Sequence, residues 1–221
     1  MKRILMLLAA VGMAACTTVE RPLEVVDWRV AELPAIASVM GAPVCVPTAL
    51  GEAVQFDGDD AYYLGLNPVQ GMEELTIEVI FRQRSGAPFE QRFLHMGLIN
   101  GERILFESRV NEDATWYLDT YINMDKETDL VLIDPAQPHP CDRWYNLAMV
   151  VADGSATSYV DGVEQVTGEI PFHAINAGIT SVGVRQNKVC WFEGDLYRIR
   201  ITPRALQPEE FLTDQVQLNE E

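Results

Sequence analysis

Apolar and polar positions alternate in short runs along most of this chain. The pattern is plain at 76–82, 92–96, 104–110, 116–122 and 196–201, where β-branched and aromatic residues recur at every second position. A period of two is that of a strand with one face buried, and clusters of Gly, Asp and Pro separate the runs. No segment keeps a helical period over three turns. The Asp-Gly pairs at 57–58, 153–154 and 161–162 put glycine where a tight hairpin turn needs positive φ. These features predict an all-β fold, a two-sheet antiparallel sandwich. One short helix is expected at 208–212, near the C-terminus, where Glu209 and Glu210 would face the N-terminal partial charge.

The first residues break the pattern. Lys2 and Arg3 precede an apolar run at 4–13 that is too short to cross ~30 Å of hydrocarbon, and Ala14 and Ala15 follow it. That is the layout of a cleaved export signal. Met13-Ala14-Ala15-Cys16 resembles a bacterial lipobox, in which cleavage before the cysteine leaves a thiol that carries diacylglycerol. An ordinary secretory peptide with a chance cysteine is the alternative. Thr17, where an Asp is absent, favours sorting to the outer membrane in such families. The expected organisation is a signal peptide at 1–15, lipidated Cys16 with a tether at 16–40, one domain at 41–212 and an acidic tail at 213–221. Pro22 and Pro34 argue against a long helix in the tether, which would instead lie on the domain as an extended strap.

Charge narrows the partners. The chain carries 33 Asp and Glu against 16 Lys and Arg, a net −17 that becomes −19 once Lys2 and Arg3 are removed. Nucleic acid and anionic lipid bind basic patches, so nucleic acid is not an expected partner and the membrane would be reached through the lipid anchor only. With Cys16 assigned to lipid, Cys45, Cys141 and Cys190 remain, and an oxidising envelope compartment is expected to close one pair.

Three stretches carry a family resemblance. They are Gly51-Glu52-Ala53-Val54-Gln55-Phe56-Asp57-Gly58, then Trp144-Tyr145-Asn146-Leu147-Ala148 with Tyr159-Val160-Asp161-Gly162, and last Phe192-Glu193-Gly194-Asp195-Leu196-Tyr197. In this order and spacing, across 41–212, they resemble the LamG-like jelly roll of the concanavalin A-like lectin and glucanase superfamily. The resemblance implies two stacked antiparallel sheets, one with a concave face open to a ligand. It does not choose among lectins, adhesive modules, glycoside hydrolases and polysaccharide lyases, all of which share the fold. It also implies that Asp195 lies near Asp57, Asp59 and Asp60, where such domains often hold a structural Ca2+; a solvated Asp-rich turn is the alternative. Finally, it would bring the N-terminal strand near the closing strands, so Cys45 with Cys190 is the expected disulfide.

The ligand face is sought among polar residues inside strands. Glu107 and Arg109 share one strand face at i, i+2. A strict alternation puts Gln91, Phe93 and His95 on one face of their strand and Arg92 on the other. With Trp116, Asp119, His139, Arg185, Asn187 and Trp191 these make a candidate lining suited to sugars, because planar guanidinium and carboxylate groups take hydroxyls bidentately and Arg neutralises a uronate. An ion pair across strands is the plainer reading of Glu107 and Arg109. The spaced carboxylates of a glucanase strand are missing. The expected function is a lipid-anchored envelope protein whose domain binds a glycan or an envelope protein without catalysis. Two alternatives stay open: a polysaccharide-cleaving enzyme using Glu107, Arg109, His95 and Arg185, and a structural envelope protein whose groove is filled by its own chain.

Overall fold

A computed structural model describes residues 23–217. The expected signal peptide and Cys16 lie outside the described residues. The chain runs through β1 (Val26–Arg29), a 3-10 turn (Val30–Ala35), β2 (Ser38–Met40), β3 (Val44–Thr48), β4 (Gly51–Asp57), β5 (Ala61–Leu64), β6 (Leu75–Gln83), β7 (Glu90–Gly97) and β8 (Arg103–Val110). It continues through β9 (Thr115–Asn123), β10 (Asp129–Ile133), β11 (His139–Pro140), β12 (Trp144–Ala152), β13 (Ser155–Val160), β14 (Val163–Glu169), β15 (Ile179–Val182) and β16 (Glu193–Thr202). A 3-10 turn (Pro208–Glu210) stands where the helix was expected, and among the described residues one α-helix, α1 (Thr213–Gln217), follows it in the expected tail.

The strands form two eight-stranded antiparallel sheets, which we call back and front. The back sheet has the order β14-β13-β12-β6-β16-β4-β3, with β1 also beside β16. The front sheet has the order β10-β9-β8-β7-β15-β5-β2, with β11 beside β9. Neighbours in the chain are often far apart in the sheets, which is the crossing pattern of a jelly roll. Between the sheets lies an aromatic core: Phe81 of the back sheet meets Trp116 edge-on at 4.7 Å and Phe93 at 5.1 Å between centroids. Trp116, Phe81, Phe93, Phe106 and Phe192 are all fully buried.

Residues 26–40, expected as a strap, are built into both sheets. β1 sets Val26 opposite Ile201 on β16, Val30 and Leu33 are buried, and β2 pairs with β5. Two of the three Asp-Gly pairs make the expected hairpin turns, with φ of +50° at Asp153 and Asp161 followed by +74° at Gly154 and +78° at Gly162, whereas Asp57-Gly58, with Gly58 at +102°, lies in the crossing from β4 of one sheet to β5 of the other.

The two outer faces differ. Residues 203–217 fold over the back sheet, where Leu206 and Phe211 pack on Ala148, and Val216 joins Ala53, Ile80 and Tyr197. Beneath this segment Glu78, fully buried, accepts from the Leu212 N–H at 2.7 Å and from Arg200 Nε at 2.5 Å. Over β8, β9 and β10 the front sheet's outer face instead carries a cavity.

The expected disulfide is not formed: Cys45, Cys141 and Cys190 are free thiols. Cys45 sits exposed on the edge strand β3, and β4 separates β3 from β16. Cys190 precedes β16 on a loop facing the front sheet, where its Sγ accepts from Arg92 Nη1 at 3.1 Å. Burial pushes the Cys141 thiol up to about 11.

Candidate functional site

The front sheet's outer face is written in the alternation of β8 and β9. Ile104, Phe106, Ser108 and Val110 point into the sandwich, so Arg103, Leu105, Glu107 and Arg109 point out. On β9 the inward set is Trp116, Leu118, Thr120 and Ile122, leaving Tyr117, Asp119 and Tyr121 outside. Register places Glu107 opposite Asp119 on one side and opposite Arg92 of β7 on the other. The result is a cavity of about 210 Å³ lined by four arginines (Arg92, Arg103, Arg109 and Arg185), by Glu107 and Asp119, and by Tyr121, Leu105 and Val131. Arg103 and Tyr121 also border a second hollow of about 740 Å³ running toward Asn123 and Asp129, so the groove extends beyond the arginines.

At its centre is an ion-pair network. Arg109 Nη2 lies 3.1 Å from Glu107 Oε2 and 2.5 Å from Asp119 Oδ2, and its Nη1 lies 3.3 Å from Glu90. Arg92 contacts Glu90 and holds its Nε 2.9 Å from Glu107 Oε1, a distance without the alignment of a hydrogen bond. Burial, reinforced by the charge of Glu107, raises the Asp119 carboxyl to about 6 despite Arg109 and Arg92. Asp119 Oδ1 is buried with no hydrogen-bond partner. Arg103 has neutral partners instead: it donates to Gly101 O at 2.8 Å and to Asn123 Oδ1 at 3.3 Å, and its guanidinium lies 4.9 Å from the Tyr121 ring centroid.

The loop 183–192 forms one wall. It is pinned where the Gly183 N–H donates to Phe93 O at 2.9 Å and the Arg92 N–H donates to Cys190 O at 2.8 Å. Gly183 has φ +89°, and a Cβ there would fall 2.5 Å from Phe56 Cδ1, so a side chain is excluded by both backbone and packing. The same two hydrogen bonds flank a β-bulge in β7, where register shifts between Arg92 and Leu94. An extra residue inverts the faces beyond it.

That bulge corrects the expected facing of β7. Gln91 and Phe93 point inward, while Arg92 and His95 share the outer face. Gln91 is buried, with Nε2 donating to Pro88 O and Oε1 accepting from the Glu193 N–H, and it takes no part in the groove. His95 is covered by the loop: Nδ1 accepts from the Gln186 N–H at 3.3 Å and Nε2 faces Leu98 O at 3.2 Å. Both ring nitrogens are engaged, and burial holds the imidazole neutral, down to about 4. Trp116 is a core residue, because it shares the inward phase with Leu118. His139 pairs with Trp116 through β11, and its Nε2 bonds Gln165 Oε1 at 2.9 Å, away from the groove. Asn187 and Trp191 lie on the loop that carries Arg185 but outside the lining. The structure thus brings together Arg92, Glu107, Arg109, Asp119 and Arg185. It adds Arg103 and Leu105, which the alternation with Glu107 and Arg109 on β8 would have identified, Tyr121, two residues from Asp119 on β9, and Val131 of β10.

Asp195 also departs from expectation. β16 pairs with β4 as the resemblance implies, but Asp195 stands opposite Gln55, two residues from Asp57, and its carboxylate is buried against Arg82 Nε at 2.8 Å, outside the converging group of the Asp-rich turn. Asp57, Asp59 and Asp60 do converge, with carboxylate oxygens within 4.8 Å of one another. Asp60, however, spends Oδ1 on the Ala42 N–H at 2.5 Å and Oδ2 on the Asp57 N–H at 3.3 Å, acting as a backbone staple.

A family model of the concanavalin A-like lectin/glucanases superfamily matches residues 56–211. The chain belongs to this superfamily. No curated protein matches it in sequence. Among solved structures it is similar to domain 4 of AbnA, a GH43 extracellular arabinanase from Geobacillus stearothermophilus in complex with arabinotriose. The TM-score is 0.60 at 18% identity over 82% of this chain and 88% of that one. It is also similar to the CBM40 of the Ruminococcus gnavus IT-sialidase bound to α2,3-sialyllactose, with TM-score 0.55 at 14% identity over 76% and 95%. A third is the binding domain of botulinum neurotoxin DC, with TM-score 0.61 at 10% identity over 83% of this chain and 46% of that one. At these identities the likeness concerns the superfamily fold.

Proposed function

We propose that this superfamily member binds carbohydrate in the front-sheet groove. One observation carries the reading: the back sheet's outer face is sealed by 203–217, whereas the front sheet presents a concave surface where guanidinium, carboxylate and a tyrosine ring converge. Those are the groups that take sugar hydroxyls and ring faces. Structural neighbours in complex with arabinotriose and with sialyllactose support it. A protein partner would use the same surface. The strap at 26–40 runs along β16 and β5, away from the groove, which argues against a groove filled by that segment.

Tyr121→Ala tests the location. Isothermal titration against the glycans selected by a glycan array is expected to show affinity reduced about tenfold or more in this variant. Unchanged affinity would move the site elsewhere.

A second reading is favoured by Asp119, whose raised carboxyl beside Glu107 resembles an acid held ready to donate a proton. The occupied ring nitrogens of His95 leave that pair without the histidine the enzyme reading included. New reducing ends in the titration samples would establish cleavage, and their absence in wild type would leave binding alone. A calcium ion, if bound, would be held by Asp57, Asp59 and the remaining lone pairs of Asp60, and would cross-link that turn.

The proposal places the domain at the outer membrane through lipid on Cys16, supported by the residues at 2–16. Cys16→Ser expressed in a bacterial host is expected to move the protein from the membrane to the soluble envelope fraction. Retention in the membrane would remove the anchor from the reading.

A further inference from the structure

The groove's arginines are not equivalent. Arg92 and Arg109 are already shared among Glu90, Glu107 and Asp119. Arg185 lines the same cavity with no side-chain ion pair or hydrogen bond among the described residues, and its Nε is buried and unpartnered. Its nearest charged surroundings include Arg92 and Arg103, which with burial disfavour its charged form; Glu107 acts on it only from beyond contact distance, engaged by the other two arginines. A half-buried guanidinium among cations, lacking a counter-ion, is a costly arrangement for the free protein. A chain with a net −17 has ample carboxylates to neutralise it, yet none among the described residues pairs with it.

The backbone that carries it is also held in place. The Lys188 N–H closes a turn on Arg185 O at 2.8 Å, and the next residue, Gln186, is anchored by Nε2 to Ile179 O at 2.8 Å and to Gly97 O at 3.2 Å. Its loop therefore presents the guanidinium without needing to order first, which favours binding. Across the cavity Asp119 Oδ1 is a buried acceptor without a donor. Buried polar atoms left unpaired in this way call for a partner.

We infer that Arg185 is the anchor for the carboxylate of an acidic sugar residue, a uronate or a sialate, with Asp119 Oδ1 accepting from one of its hydroxyls. The inference rests on the carbohydrate reading and adds the class of sugar. The anion would supply the counter-ion Arg185 lacks, through the paired N–H bonds a guanidinium makes to a carboxylate.

The test is a set of paired titrations on the wild-type protein: tetragalacturonate against its carboxyl-reduced form, and α2,3-sialyllactose against lactose. At least one acidic member is expected to bind about 10- to 100-fold tighter than its neutral counterpart, and which pair shows the ratio separates uronate from sialate. Arg185→Gln is expected to collapse that ratio toward one while the melting temperature holds, because the side chain has no native partner to lose. Arg185→Lys, which keeps the charge without the fork, should fall between. Arg204→Gln, an exposed arginine over the back sheet, should keep the full ratio. Equal binding of acidic and neutral members, lost together in Tyr121→Ala, overturns the acid subsite and leaves the carbohydrate reading standing. If no member of either pair binds, both fall. An acid preference that survives in Arg185→Gln overturns the assignment of the anchor.

Discussion

Asp119→Asn is expected to stabilise the protein at pH 7, by at most about 3 kcal/mol. The carboxyl titrates at about 6 in the folded chain, against ~3.9 when unfolded, and each unit corresponds to ~1.4 kcal/mol. Because the folded value is raised, the favourable contribution belongs to the protonated form. It is fully present below pH ~4 and is lost as pH rises through ~6. Asparagine keeps the shape and removes the ionisation, at the loss of one contact to Arg109, which still has Glu107 and Glu90. Other carboxylates titrate over the same range, so the informative quantity is the difference between variant and wild type. That difference should grow from pH 4 to pH 6.5 in urea unfolding and then level off. A flat difference, or a variant less stable at pH 7, would show that Arg109 more than compensates the burial of Asp119. The expected sign has a functional corollary: a carboxylate that weakens the free protein at neutral pH fits a groove whose network is completed by a ligand.

What was legible in the chain depended on whether the period of two ran unbroken. It did so on β8 and β9, so Glu107 and Arg109 fell on one face as their spacing required. The same count separates Trp116 from Asp119, since an odd number of steps lies between them; choosing Trp116 for its chemistry overlooked its phase. On β7 the alternation misled, because the bulge at Phe93 and Leu94 is held by hydrogen bonds to Gly183 and Cys190, some ninety residues away, and no local feature announces them. Arg185 was legible as a residue type only. Its place in the groove comes from the loop between β15 and β16, and its want of a partner is a property of the assembled site. The Cys45–Cys190 pairing failed for a related reason: closeness of two strands in a sheet does not specify which end of the strand, or which sheet, a flanking residue faces.

Glu78→Ala is expected to cost about 3–5 kcal/mol, the range for breaking a buried charge pair from one side, which for a chain of this size lowers the melting temperature by roughly 10 °C. The carboxylate is fully buried, and burial holds its pKa above the usual range even though the Leu212 N–H, Arg200 and Asn146 all donate to it. Removing it orphans three donors at once and leaves a void beneath the C-terminal segment. Glu78→Gln keeps the volume and one acceptor, so its loss should be smaller, about 1–2 kcal/mol. The damage should be directional. Leu212 is tied to Glu78 directly, so residues 203–217 should exchange amide hydrogens and yield to protease well before β8 and β9 do. Below its melting point the variant should still bind ligand as wild type does, because Glu78 faces away from the groove on the opposite sheet. If binding falls in step with release of that segment, the back sheet's cover supports the front sheet's curvature, and the two outer faces are coupled through the core. Intact binding with a loosened C-terminus would establish that the sealed face serves stability alone and the open face recognition.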